Sequence, residues 1–163
     1  MKNYWPFGIF LLAMVVVGLI VLTIKVAITN PVELQGVCQQ SSQYIDENSN
    51  AITQMRNRIL KQYNIAFEGA LQQDLQSFRQ IFLRIKDKES GKLETNARVQ
   101  FFLTRPNTTR EDRILGDAEL VDGLWQSSSF IVEKPGRYQS EALVEIGEHS
   151  ICVTQEYFIK DKP

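Results

Sequence analysis

An uncharged apolar run near the start constrains this chain more than any other feature. From Phe7 to Ile24, 18 residues carry no charge, and coiled as a helix they reach about 27 Å, close to the thickness of a hydrocarbon core. A backbone in lipid must satisfy its own polar groups, so the run is expected to be α-helical despite its valines, Gly8 and Gly18. Tyr4 and Trp5 suit one interface, Pro6 suits the first helical turn, and Lys25 can extend its stem toward the other interface. The span is expected to end near Asn30-Pro31. A secretory signal peptide is the competing reading. Cleavage after Ala27 would put Lys25 where a small residue is needed, which favours an uncleaved anchor.

Orientation follows from where cations are missing. The N-terminus carries Lys2 and the α-amino group, whereas Val26 to Met55 holds no Lys or Arg, so the C-terminal part is expected to be exported. In a bacterium this means a single-pass inner-membrane protein with a cytoplasmic N-terminus and a periplasmic domain. The 163 residues leave room for one such domain beside the anchor, and none for two enzyme domains. Of 18 basic residues only Lys2 and Lys25 precede Asn30, so the remainder has a net charge of about −3. That balance gives no footing for nucleic-acid binding.

Residues 31 to 63 read as a polar linker followed by an amphipathic helix. Ile45, Ile52, Met55, Ile59 and Tyr63 share one helical face, with Arg56, Arg58 and Lys61 toward water. From residue 64 to 163 the pattern changes to short alternating strands. Seven are expected: Asn64 to Glu68, Ser77 to Lys86, Ala97 to Thr104, Ile114 to Val121, Leu124 to Val132, Arg137 to Ile146 and His149 to Ile159. Turn signals such as Asp122-Gly123, Lys134-Pro135-Gly136 and Gly147-Glu148 separate them, and no helix of βαβ length intervenes. The fold class is therefore a membrane-anchored, mainly β chain: one transmembrane helix over residues 1–30, a short amphipathic helix, then a seven-stranded antiparallel Ig-like sandwich. Ile81, Leu83 and Ile85 are expected in the core, with Ala97, Val99, Phe101 and Leu103, and with Tyr138, Ala142, Val144 and Ile146.

Candidate chemistry is sparse. Cys38 and Cys152 are the two cysteines, and His149 is the single histidine. Three apart in a strand, His149 and Cys152 point to opposite faces, which disfavours both a shared metal and a nucleophile dyad. For Cys38 and Cys152 a disulfide is the first reading, because the exported compartment is oxidising. Two structural thiols, or a copper(I) site made by both sulfurs, stay open. Phe82 and Phe102 point outward on strands expected to share one hairpin, and are candidate partner-docking residues; cover by the amphipathic helix is the plainer alternative. Glu141, Glu145 and Glu148 alternate with core positions and read as a solvated sheet face. No glycine-rich phosphate loop or nucleophile elbow occurs, so no catalytic residue and no resident cofactor are assigned.

Several short motifs lie in a fixed order. Tyr4-Trp5-Pro6-Phe7 opens the apolar run and Thr29-Asn30-Pro31-Val32 closes it. Leu103-Thr104-Arg105-Pro106, Asp122-Gly123-Leu124-Trp125 and Lys134-Pro135-Gly136-Arg137-Tyr138 fall at strand ends and hairpins. Over nearly the whole chain this arrangement resembles the FixH (CcoH) family of small bacterial inner-membrane proteins. The resemblance implies a non-enzymatic factor in assembling the cbb-type (C-family) haem-copper cytochrome c oxidase. Its implied partners are oxidase subunits and maturation proteins, including a copper-exporting P-type ATPase, beside the lipid bilayer. The helix before the sandwich and the Cys38/Cys152 pair match no motif of that family, so no copper role passes to them.

Overall fold

The computed structural model describes residues 4–29, 36–69, 79–106 and 108–160. The expected end of the span at Asn30-Pro31 and the start of the expected strand at Ser77 lie outside these residues. The chain forms two compact units, one up to Glu33 and one from Leu34 onward.

In the first unit, α1 (Trp5–Thr29) is one helix of 25 residues, about 37 Å long. It is long and apolar enough over Trp5–Ile28 to cross a membrane. Apolar side chains surround it on every side, unlike a helix that rests one face on a core. Its Thr23 hydroxyl donates to the Ile20 carbonyl at 2.8 Å, so this polar group is satisfied within the helix itself.

The second unit begins with two short helices. Ser41 caps α2 (Ser42–Glu47) by accepting the Tyr44 N–H at 3.2 Å. Asn48 then closes α2, donating from its side chain to the Tyr44 carbonyl at 2.9 Å. The helix restarts as α3 (Ser49–Gln62). The single helix expected from Ile45 to Tyr63 is thus broken at Asn48, and Tyr63 opens a strand. Polar Asn48-Ser49-Asn50 stops one helix and starts another because these side chains compete for backbone groups.

The described residues hold eight strands: β1 (Tyr63–Glu68), β2 (Phe82–Asp87), β3 (Arg98–Arg105), β4 (Thr108–Asp117), β5 (Glu119–Val121), β6 (Leu124–Gln126), β7 (Gly136–Ile146) and β8 (His149–Ile159). They form two four-stranded sheets, ordered β1-β2-β6-β5 and β4-β3-β7-β8, with antiparallel pairing throughout. The extra strand arises at Ala118, where the expected Ile114 to Val121 strand divides. Residues before Ala118 pair with β3 and residues after it pair with β6, so the chain changes sheets there. Asp122 and Gly123 both take positive φ (50° and 77°) and form the tight two-residue turn that their sequence signals.

The core lies between the sheets. Leu83, Phe101, Ala142 and Val144 are completely enclosed, and Ile81, Ile85, Val99, Leu103 and Tyr138 are buried with them. Ala97 and Ile146 are half-buried at its margin. Helix α3 packs against β1 and β8, one edge strand of each sheet, and drives Ile59 into the core. Burying a side chain of this size contributes roughly 2 kcal/mol, which explains how a short helix persists here.

Candidate functional site: a bridged turn and its groove

The site is built on the outer face of the β7–β8 pair. In that register Leu143 lies opposite Cys152, and Glu141 opposite Thr154. Ala142 and Val144 point inward, so Glu141, Leu143 and Cys152 point away from the core. A turn ahead of α2 covers this face. Val37 and Gln40 exchange backbone hydrogen bonds at 3.1 and 3.0 Å, and the two residues between them, Cys38 and Gln39, have φ of 49° and 63°. Two successive non-glycine residues in the left-handed region cost roughly 1 to 2 kcal/mol each. Gly36 permits the close return of the chain, because a Cβ there would collide with the Gln40 carbonyl oxygen.

Two connections hold the turn to the sheet. Cys38 and Cys152 form a disulfide across 114 residues, with Cα atoms 6.1 Å apart. The Cys38 N–H donates to Glu141 Oε2 at 2.5 Å. Around them, Gly36, Gln39, Gln40 and Ser41 line one hollow with Phe102, Ile114 and Glu141, which accounts for the burial of Phe102 on an outward-facing position.

Glu141 is the residue that the sequence reading missed. Read there as part of a solvated face, it is only 2 % exposed. Its second oxygen accepts from the Thr104 hydroxyl at 3.1 Å and the Gln139 amide at 3.2 Å. Burial pushes its carboxyl above the ordinary value, and the three donors only partly offset that loss of hydration. The two sulfurs and a Glu141 oxygen lie within 4.8 Å of one another. Sulfurs bonded to each other are not thiolates, so this set does not fit a copper(I) ion as it stands.

Phe82 and Phe102 do not make one patch. Phe82 is half-buried on β2 of the first sheet, whereas Phe102 is covered on β3 of the second, so no hairpin joins their strands. The apolar surface near the bridge lies elsewhere, in a groove of about 400 Å³ between the two short helices and the β7–β8 pair. Tyr44, Ile45, Ile52, Met55, Leu143 and Cys152 are among its lining residues. His149 is exposed at the start of β8, on the face opposite Cys152.

A second cluster occupies the Pro135–Gly136 turn that leads into β7. Arg105 pairs with Glu111 at 2.6 Å and Lys134 pairs with the same carboxylate at 2.5 Å. Hydrogen bonds from Lys134 and Arg105 hold the Glu111 carboxyl below the usual range. Arg105 also donates to the Pro135 carbonyl at 2.9 Å, and its guanidinium lies 4.9 Å from the centre of the Tyr138 ring. The Tyr138 hydroxyl donates to the Lys134 carbonyl at 2.9 Å, closing the corner. Gly136 is required here, since its φ is 134° and a Cβ would meet Arg105 Nη2 at 2.6 Å. These contacts fix a turn and present no free nucleophile or base.

No protein-family model matches the chain, and no curated protein matches it. Among solved structures it is similar to an engineered protein, with 13 % identity and a TM-score of 0.43 over 63 % of this chain and 20 % of that one. It is also similar to a superoxide reductase (neelaredoxin) from Ignicoccus hospitalis, with 10 % identity and a TM-score of 0.34 over 62 % of this chain and 80 % of that one. The chain thus spans about a fifth of the engineered protein's length.

Proposed function

We propose that this chain is a non-enzymatic accessory factor, anchored in the bacterial inner membrane, that assembles or stabilises a cbb-type haem-copper cytochrome c oxidase. The observation that carries the reading is the joining, in one chain, of a helix of spanning length to a β domain tied by a disulfide. That bridge supports export, because such bonds persist in oxidising compartments. Together with the cation-free stretch after the helix, it favours a cytoplasmic N-terminus and a periplasmic domain.

The oxidase assignment rests on the FixH-like motifs. Their residues sit where local geometry is demanding: Asp122-Gly123 at a tight turn, and Arg105 with Lys134 to Tyr138 at a corner. The topology gives further support to an immunoglobulin-like reading. Sheet orders β1-β2-β6-β5 and β4-β3-β7-β8 correspond to the ABED and GFC sheets of that fold plus one added strand beside the third. Tyr138, bonded to a carbonyl four residues upstream near the start of the seventh strand, has the character of that fold's tyrosine corner. Partners in this reading are oxidase subunits and maturation proteins, among them a copper P-type ATPase.

Deleting the gene and measuring assembled oxidase and its activity at low oxygen tests the proposal. Loss of assembled oxidase supports it; normal assembly and activity reject it. Co-purification with fully metallated oxidase would instead favour a permanent structural subunit. A copper(I) chaperone is the other reading, motivated by the nearby sulfurs and carboxylate. It requires the bridge to open first, and it is rejected if the reduced chain binds no copper(I).

A further inference from the structure

We infer that the Cys38–Cys152 bridge is an exchangeable disulfide, opened by a dithiol whose thiolate enters the apolar groove and attacks Cys152 Sγ, with Cys38 as the departing sulfur. This goes beyond the oxidase reading and does not depend on it. The asymmetry between the two cysteines carries it. Cys152 lines the groove and is half-buried, whereas Cys38 is 3 % exposed. An attacking sulfur must approach along the sulfur–sulfur axis, so the sulfur reached from the groove is the one attacked. The groove's apolar walls, including Tyr44, Ile45 and Leu143, suit the apolar surroundings of a dithiol on a partner protein.

What the bridge holds also matters. Neither cysteine belongs to the core cluster between the sheets, and α2 buries no residue. Opening the bond therefore frees the turn and the short helix after it while the sandwich stays folded, which is a local event of low cost. The left-handed backbone at Cys38 and Gln39 adds to the tendency of the turn to relax once released. A bond inside the core would need global unfolding to become reachable.

The reaction balances without another reagent. The first thiolate of the dithiol bonds to Cys152, and the old bond's electron pair leaves on Cys38. The second thiol of the dithiol, once deprotonated, attacks its own partner sulfur and expels Cys152 as a thiolate. The dithiol is oxidised to a disulfide, the bridge is reduced by two electrons, and the two protons of the dithiol end on Cys38 and Cys152. Glu141 is a positioning residue here, since it holds the Cys38 backbone over the sheet.

The test uses the full-length chain in detergent, with dithiothreitol as the dithiol probe and the monothiol glutathione as the mapping probe. Reduction of the wild type is expected to rise linearly with dithiothreitol and to be unaffected by urea below the unfolding transition. Glutathione added to the bridged wild type and trapped by acid is expected to be found in mixed disulfide with Cys152 at least about tenfold more often than with Cys38. Hydrogen exchange in the reduced chain is expected to quicken over residues 36–47 and to stay slow in β3 and β7. A reduction rate that saturates with dithiothreitol and climbs with urea, in step with global unfolding, would make the bridge an inert staple and overturn the inference. A mixed disulfide trapped mainly on Cys38 would overturn the assigned direction of attack.

Discussion

The backbone N–H of Cys38 donates to the Glu141 carboxylate across 103 residues of sequence, so the bridge and this hydrogen bond fasten the same turn to the same strand. One connection is covalent and open to redox chemistry; the other is electrostatic and open to protons.

Glu141 should give the domain a measurable pH dependence. Burial raises its folded carboxyl above the ordinary value of 4.5, so the folded state holds the proton longer than the unfolded state does. The stability linked to this group is present below the ordinary value and is lost as pH rises through the raised one. Glu111 and Asp117 are shifted downward and act in the opposite sense, so a difference against a variant is needed. Glu141→Gln keeps an acceptor for the Cys38 N–H and removes the titration. The Tm of the variant minus that of the wild type should therefore increase from about pH 4 toward neutrality. A flat difference would show that Glu141 keeps the same proton affinity folded and unfolded.

Removing the bridge should lower stability without dismantling the sandwich. The double replacement C38A/C152A is expected to cost about 2 to 4 kcal/mol, chiefly by releasing the unfolded chain from a long closed loop. Urea unfolding followed by Trp125 fluorescence in a Trp5→Phe background reads this as a lower midpoint. The denaturant slope should rise, since the unfolded chain without the cross-link is more expanded and exposes more surface.

The corner around Tyr138 should behave as a coupled unit. Tyr138→Phe removes one hydrogen bond to the Lys134 carbonyl and should cost about 1 kcal/mol. Arg105→Ala loses the ring contact, the Pro135 carbonyl bond and the Glu111 pair together, and should cost about 2 to 3 kcal/mol. Arg105→Lys should rescue little, because an ammonium cannot serve these three partners with one planar fork. The double variant should fall short of the sum of the two single effects, as measured by thermal unfolding.

The anchor makes a biochemical prediction. The chain is expected to keep α1 and to remain with membranes washed in alkaline carbonate. A mature N-terminus after Ala27, with release into the wash, would mean that the helix acts as a cleaved signal.

Much of the fold could be read from the sequence because two-residue alternation is a local property. Leu83, Phe101 and Val144 fell on the expected core face for that reason. The change of sheets at Ala118 was hidden, since one strand continued across two sheets and two separate strands have the same alternation. Neither Ala118 nor Gly116 announces a crossing. The break at Asn48 was visible in principle in three successive polar cap-forming residues, but the apolar spacing from Ile45 to Ile59 ran straight through it.

The candidate site was less legible. Cys38 and Cys152 were named, yet the burial of Glu141 depends on a cover supplied from more than a hundred positions earlier. Alternation assigned its side chain to the outer face correctly. It could not show that this face is roofed. Phe102 failed for the same reason, and the pairing of Phe82 with it failed because adjacent strands in sequence need not be neighbours in space.

The packing of α3 against the edge strands β1 and β8 bears on how copies of this chain coexist. An unguarded strand margin invites another chain to extend the sheet. One flank is shut by the helix; the other is left to β5, only three residues long, and to a bulged β4 that displays Arg110, Glu111, Asp112 and Arg113. Crowded copies are thereby denied a long, uncharged ribbon on which to polymerise.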